Sequence, residues 1–210
     1  MTSLNIQCIK YLFVCSLLLA NILASKIVMV GGLVLPAAII LYPLTFLFTD
    51  VVAEVEGKKS ADALVMMGLY MSLFMVLAIL AGKLLPPAGF WKHQEAYNTI
   101  LGSTPRIVLA SMIAYIVSQR HDVWAFHWWR GKTAGRHLWL RNNLSTIVSQ
   151  LIDSVLFIGI AFWGIVPPAT VGTMILSQYL VKVGIALLDT PICYVLVRLY
   201  GSDRKHLQNA

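Results

Sequence analysis

The sequence predicts an all-α integral membrane protein with six transmembrane helices. Of its 210 residues, 59% are hydrophobic and only 12% are charged, and the mean hydropathy is +0.77. The chain contains repeated apolar runs of about 20 residues, the length at which a helix crosses the hydrocarbon core. Lys and Arg residues fall mainly in the short connections between these runs, as orientation signals do. We therefore interpret residues 1–210 as a single six-helix membrane domain.

The predicted spans follow the apolar runs. Between the first two, Gly31 and Gly32 are flanked by β-branched residues, a pattern typical of a β-hairpin. A short hairpin or re-entrant element is therefore expected near 27–35, where it would line an interior, because non-helical backbone at membrane depth needs protein or water around it. Pro36 is expected to open the second helix and Pro43 to kink it. The six spans cover residues 7–26, 35–56, 62–84, 104–120, 144–164 and 171–198.

The charged connections predict the orientation. Residues 120–141, between the fourth and fifth spans, contain five Lys or Arg residues, and further cations lie at 58–59 and 204–205. The loop GIVPPAT between the last two spans has no charge. Six spans with both termini in the cytoplasm satisfy these signals together. The net charge of +7 is explained in this way and does not indicate nucleic acid as a partner.

No catalytic motif stands out. The fragment GKKS at Gly57 lacks the earlier glycine and the hydroxyl residue of a phosphate-binding loop. The chain contains neither an HExxH helix nor a GxSxG turn, so a metalloenzyme or a serine hydrolase is not predicted. Cys8, Cys15 and Cys193 lie in or beside apolar segments without the spacing of a zinc site or a disulfide framework. We expect no enzymatic activity and no cofactor.

Ionisable residues inside the last two spans are the main candidates for function. A charge at the centre of a spanning helix costs roughly 2.5–3.5 kcal/mol, so such residues usually face an interior, pair, or mark a substrate route. Asp153 and Lys182 lie about ten residues from the starts of their spans, so antiparallel helices would place them at similar depth. The pair could simply hold two helices together. Gln150, Gln178 and Asp189 add further polar groups, which favours a substrate site.

Other polar residues allow two interpretations each. Asp50 and Glu54 share one face of the second span, either as part of a site or as a solvated helix end. Asn21 and Ser25 share a face of the first span. Arg106 opens the fourth span and would either face the interior or extend outward to the membrane surface.

Four stretches together resemble a known family: YPLTFLFTDVVAEVEGKKSA, RIVLASMIAYIVSQRHDVWAFHWWR, LWLRNNLSTIVSQLIDSVLFIGIAFWG and LSQYLVKVGIALLDTPICYVL. They are similar to the queuosine precursor transporter family, within the vitamin uptake transporter group, and the resemblance covers about residues 15–200. It implies a multi-pass transporter of the inner (plasma) membrane that imports 7-deazaguanines into the cytoplasm. The substrate would be 7-cyano-7-deazaguanine, 7-aminomethyl-7-deazaguanine or queuine.

The resemblance also implies a set of substrate-binding residues. A deazaguanine offers an N1–H and an amine that match a carboxylate, and a carbonyl that needs a donor such as Lys or Gln. Phe157 and Tyr179 are candidates for stacking on the flat ring. In some relatives an Asn stands in place of Gln150. The residues that match the family pattern, with Asn21 added from the first span, are Thr49, Asp50, Glu54, Arg106, Asn143, Gln150, Asp153, Gln178, Lys182 and Asp189.

The energy source and the partners stay open at this stage. Uptake could be facilitated diffusion, proton symport through a carboxylate such as Asp153 or Glu54, or the action of a substrate-binding subunit with a separate ATP-driven module. The alternative to a transporter is a membrane scaffold protein, whose polar pairs only hold helices together. The expected partners are the lipid bilayer and the small-molecule substrate, without direct nucleic-acid binding, and both a homo-oligomer and an energising partner are compatible with the sequence.

Overall fold

The computed structural model describes residues 2–132 and 138–185, and most of them are helical. A two-stranded antiparallel hairpin and a short 3-10 turn interrupt the helices early in the chain. The elements are α1 Thr2–Leu23, β1 Ile27–Val30, β2 Leu33–Pro36, a 3-10 turn Ala37–Ile40, α2 Tyr42–Glu56, α3 Lys58–Leu84, α4 Gln94–Gly102, α5 Thr104–Lys132, α6 Leu138–Phe162 and α7, which is helical over 168–185.

Three helical segments within the described ranges are long and apolar enough to cross a membrane: Ile6–Leu23, Lys58–Leu84 and Gln94–His121. Ile147–Phe162 forms a shorter apolar helix. The predicted helical membrane fold is confirmed, whereas the count of six spans stays a prediction. Part of the sixth predicted span, residues 186–198, lies outside the described residues.

The hairpin near 27–35 is also confirmed. Strands β1 and β2 pair with one another, and the Ala37 N–H donates to the Lys26 carbonyl at 2.8 Å at their base. Gly31 and Gly32 have φ values of 57° and 81°. Positive φ at both central residues is what a tight two-residue hairpin requires, and glycine adopts it without steric cost.

The predicted start of the second span is wrong. Residues 35–56 do not form one helix, because β2 continues to Pro36 and the 3-10 turn comes next. Pro43 lies in the first turn of α2 and does not kink it, since a missing N–H has no helical partner to lose there. Helix α2 thus has 15 residues and is about 22 Å long, shorter than the hydrocarbon core.

The fourth predicted span is also longer than expected. Helix α5 continues from residue 120 to Lys132. The polar run from Gln119 to Asp122 ends the apolar window, but it contains no proline or glycine that would end a helix. The connection 85–103 contains the short helix α4, none of whose residues is buried, and the apolar runs did not predict it.

The described residues form two compact units. The first comprises 2–27 and 36–105, and its apolar core joins α1, α2 and α3. The second comprises 28–35 and 106–184, and therefore contains the hairpin, α5, α6 and α7. The buried residues at the centre of the first unit are Ile9, Phe13, Val51, Val52 and Leu64.

Helices α1 and α3 approach one another closely at Gly68. A Cβ atom at this position would lie 2.7 Å from Leu17 Cδ2 and 2.9 Å from Phe13 Cε1. One turn further along α3, Ser72 Oγ accepts a hydrogen bond from Asn21 Nδ2 at 3.3 Å. Small residues with an interhelical hydrogen bond are typical of helix packing in membranes, where burial of apolar surface gives little driving force.

Candidate functional site

Helices α6 and α7 each have a buried face that changes from apolar to polar along its length. The apolar ends flank the short connection between the helices, and the polar parts lie farther from it. Because the helices are antiparallel and joined by few residues, similar parts meet. The buried apolar residues are Ile158, Ala161, Phe162, Val171 and Met174, and the buried polar residues are Ser149, Asp153, Ser154, Ser177, Gln178 and Lys182.

Asp153 and Lys182 form an ion pair between these polar faces. Lys182 Nζ donates to Asp153 Oδ2, and the side chains are only 4% and 10% exposed for Lys182 and Asp153 respectively. The expectation that both residues lie at similar depth is therefore confirmed. Within the described ranges, the second carboxylate oxygen, Asp153 Oδ1, accepts no hydrogen bond. The pair is thus neutral as a unit but retains an acceptor atom.

Two amide side chains flank the ion pair without partners of their own. Gln150 Oε1 is fully buried and has no hydrogen-bond partner among the residues that the structure describes. Gln178 is only 5% exposed, and its amide also bonds to no described residue. Counted along the helix axes from the ion pair, Gln178 lies about 6 Å nearer the connection and Gln150 about 4.5 Å farther from it. Buried polar atoms in folded proteins are normally paired, so these need an explanation.

The two aromatic candidates differ in their surroundings. Phe157 packs edge-to-face against Phe162, with ring centroids 6.3 Å apart and an interplanar angle of 79°. Tyr179 is half-buried, and its ring contacts no other aromatic ring in the described part of the chain. Stacking of either ring on a ligand stays a prediction.

Arg106 binds the end of α6. Its Nε donates to the Ile160 carbonyl and its Nη2 to the Trp163 carbonyl, both at 2.6 Å. Carbonyls at the C-terminus of a helix lack intrahelical partners and carry partial negative charge, so a guanidinium stabilises them. These bonds give Arg106 a structural role in fixing α5 to α6, and its contact with substrate stays a prediction.

The remaining candidates are divided between the first unit and the undescribed parts. Asn21 is buried and bonded to Ser72, as described above. Asp50 and Glu54 are exposed on α2, and Thr49 Oγ1 donates to the Thr45 and Phe46 carbonyls at 2.9 and 2.8 Å. The side chain of Asn143 and the whole of Asp189 lie outside the description. Asp153 and Lys182 are in contact in the second unit, which also contains Gln150, Phe157, Gln178 and Tyr179.

Comparison with known proteins gives the family. Residues 36–196, more than half of the chain, match the family described as "Putative vitamin uptake transporter". The chain belongs to this family. The transporter is also 35% identical over 188 residues to the "Probable queuosine precursor transporter" of Bacillus subtilis (strain 168), which covers 89% of this chain and 82% of the relative. No solved structure matches it. Both descriptions name transporters, so the predictions of the family and of a non-enzymatic protein are confirmed.

The sequence did not predict one contact of the transporter beside the ion pair. His121 Nδ1 and Ser149 Oγ lie 3.1 Å apart, and Ser149 is buried one turn before Asp153 on α6. His121 fell outside the fourth predicted span, which ended at residue 120. The signal in the sequence was the spacing of four residues between Ser149 and Asp153, which places Ser149 on the same helix face as the ion pair. Among the described residues, no group of three or more His, Cys, Asp or Glu side chains could hold a metal ion.

Proposed function

We propose that this transporter imports a queuosine precursor of the 7-deazaguanine type across the inner (plasma) membrane into the cytoplasm. It does so as one six-helix domain with both termini in the cytoplasm. The name of the Bacillus subtilis relative supports the substrate class. The observation that carries the proposal is that the Asp153–Lys182 ion pair is flanked by two amides, Gln150 with its buried Oε1 and the buried Gln178, which bond to no residue that the structure describes.

The chemistry of the ligand suits these groups. The deazaguanine ring system is flat and uncharged, and one edge presents N–H donors next to a carbonyl acceptor. A site that has already neutralised its own charges binds this ring without placing a net charge against it, whose cost would be high. Tyr179 offers a ring face for stacking, and each amide can both donate and accept.

A proteoliposome experiment tests the proposal. The full chain is purified, reconstituted alone, and supplied with radiolabelled 7-cyano- or 7-aminomethyl-7-deazaguanine, with queuine as a competitor. We expect saturable uptake that the unlabelled compounds inhibit. Binding without uptake would instead favour a substrate-binding subunit that needs an energising module. The absence of both binding and uptake would refute the proposal.

Two matched variants connect the test to the site. Asp153→Asn and Glu56→Gln each replace a carboxylate with an amide. Both carboxylates pair with a lysine: Asp153 Oδ2 accepts from Lys182, and Glu56 Oε2 accepts from Lys10 at 2.6 Å. The Lys10–Glu56 pair belongs to the first unit, remote in sequence from the proposed site. We expect uptake to be lost in Asp153→Asn and retained in Glu56→Gln. Equal loss in both variants would mean that the effect is not specific to the proposed site.

A further inference from the structure

Two acceptor oxygens on α6 have no donor in the described protein. Lys182 occupies Asp153 Oδ2 and leaves Asp153 Oδ1 open, while Gln150 Oε1 is buried and unpartnered. Residues three apart on a helix share a face, so the two side chains point to the same side of α6, about 4.5 Å apart along its axis. The face therefore presents two open acceptors at this level, next to the N–H groups of the Gln150 amide.

A ligand satisfies both acceptors only if it brings N–H groups. A carbonyl, ether or nitrile placed against the two oxygens would leave them unpaired, which is costly for the buried Gln150 Oε1. Lys182 Nζ donates to Asp153 Oδ2 and, within the described ranges, to neither of the two open oxygens. Its effect is to orient the Asp153 carboxylate and to direct Oδ1 away from the pair.

We infer that Asp153 Oδ1 and Gln150 Oε1 form a two-acceptor edge that binds two adjacent N–H groups of the ligand. The transporter therefore selects heterocycles that carry an exocyclic amine next to a ring N–H. This inference rests on the proposed function and assigns Gln150 the role of acceptor for the amine, in place of the expected donor to the ring carbonyl. Lys182 becomes a positioning residue.

Gln178 provides an internal contrast. It lies on the other side of the ion pair, about 10 Å from Gln150 along the helix axes, so one edge of a small ring cannot contact both amides. Gln178 is also buried and unpartnered within the described ranges, so its truncation removes a comparable amide. A change at Gln178 should therefore affect affinity without affecting selection for the amine.

The test uses two ligands that differ in one group. 7-Deazaguanine has the exocyclic amine, and 7-deazahypoxanthine lacks it but keeps the ring N–H and the carbonyl. Their dissociation constants are measured by competition on the purified full chain in nanodiscs, with labelled 7-cyano-7-deazaguanine as the probe. We expect the wild-type protein to bind the amine-bearing compound at least about ten-fold more tightly, because its loss leaves a buried acceptor unpaired.

Variants then assign that preference to a residue. In Gln150→Met we expect the ratio of the two constants to fall towards one, whereas Gln150→Asn keeps an amide oxygen and should retain part of the preference. Gln178→Met should weaken the binding of both ligands and leave the ratio of their dissociation constants unchanged. If Gln150→Met does not fold, the wild-type ratio and the Gln150→Asn ratio still test the inference.

The outcomes separate the inference from the function beneath it. Equal wild-type binding of both compounds, with the labelled precursor still bound, would overturn the inference and leave the proposed function standing. A preference that persists in Gln150→Met would overturn the role of Gln150. Failure of the wild-type protein to bind the labelled precursor at all would refute the proposed function and the inference with it.

Discussion

Replacing Asp153 with Asn should destabilise the protein strongly. The substitution leaves the Lys182 ammonium without its carboxylate, in a side chain that is only 4% exposed. Removing one partner of a buried ion pair typically costs about 3–5 kcal/mol, because the remaining charge is buried and uncompensated. The ratio of folded to unfolded protein should therefore fall by roughly two to four orders of magnitude. Lys182→Met should cost a similar amount for the same reason.

The double variant Asp153→Asn/Lys182→Met separates stability from transport. Removing both charges leaves none uncompensated, and such replacements are often nearly neutral, so we expect the double variant to be more stable than either single variant. Its uptake should nevertheless remain absent, because the acceptor carboxylate is gone. Recovery of both stability and uptake would instead mean that the pair only holds the helices together.

The measurements are unfolding curves of the purified protein in detergent and uptake by proteoliposomes. Glu56→Gln is the reference, because the side chains of the Lys10–Glu56 pair are 21% and 22% exposed and such a pair contributes about 1 kcal/mol or less. If Asp153→Asn unfolds at the same denaturant concentration as wild type, the buried ion pair is not a stabilising contact and the reasoning is refuted.

Further substitutions test the packing at Gly68, at Arg106 and in the hairpin. Gly68→Ala should lower the free energy of unfolding by about 1–3 kcal/mol, because its Cβ would lie 2.7 Å from a Leu17 methyl group. The control Gly159→Ala, whose Cβ would have nothing within 4 Å, should be neutral or slightly stabilising in the same unfolding assay. Arg106→Ala removes two charged hydrogen bonds to the end of α6 and should lower the free energy of unfolding by about 2 kcal/mol or more, with partial recovery in Arg106→Lys. Equal stability of the wild type, Arg106→Ala and Arg106→Lys would contradict the role of Arg106 in capping α6. Gly32→Val should destabilise the hairpin, because φ is 81° there, and wild-type protease resistance of the 27–36 segment would contradict this.

Local signals explain why the hairpin and the ion pair could be predicted. Gly31 and Gly32 between β-branched residues specify a tight turn wherever they occur in a fold, because the positive φ values are required locally. Asp153 and Lys182 are rare charges in apolar runs, and each needs a partner at its own depth. The short connection between α6 and α7 left few ways to satisfy both.

Tertiary contacts explain what the sequence could not predict. Hydropathy treats 35–56 as one continuous apolar run, although its first residues pair with β1 and only Tyr42–Glu56 is α-helical. The carbonyls that Arg106 contacts lie more than fifty residues away in the chain, and no local pattern identifies them. That Gln150 has no protein partner depends on every neighbouring side chain, so only the structure reveals it.

The amides favour the proposed binding site over a simple helix contact. An ion pair that serves only to join α6 and α7 is complete once Lys182 and Asp153 have met, and the surrounding positions would be more stable with apolar side chains. Instead, Gln178 is buried and bonds to no described residue, and Gln150 Oε1 is a buried oxygen without a partner there, which costs about 1–3 kcal/mol for such an unpaired group. A ligand that supplies the missing partners would recover this free energy on binding. In the proposed site the same groups would reject a ligand that cannot, and the unpaired atoms would be the source of its selectivity.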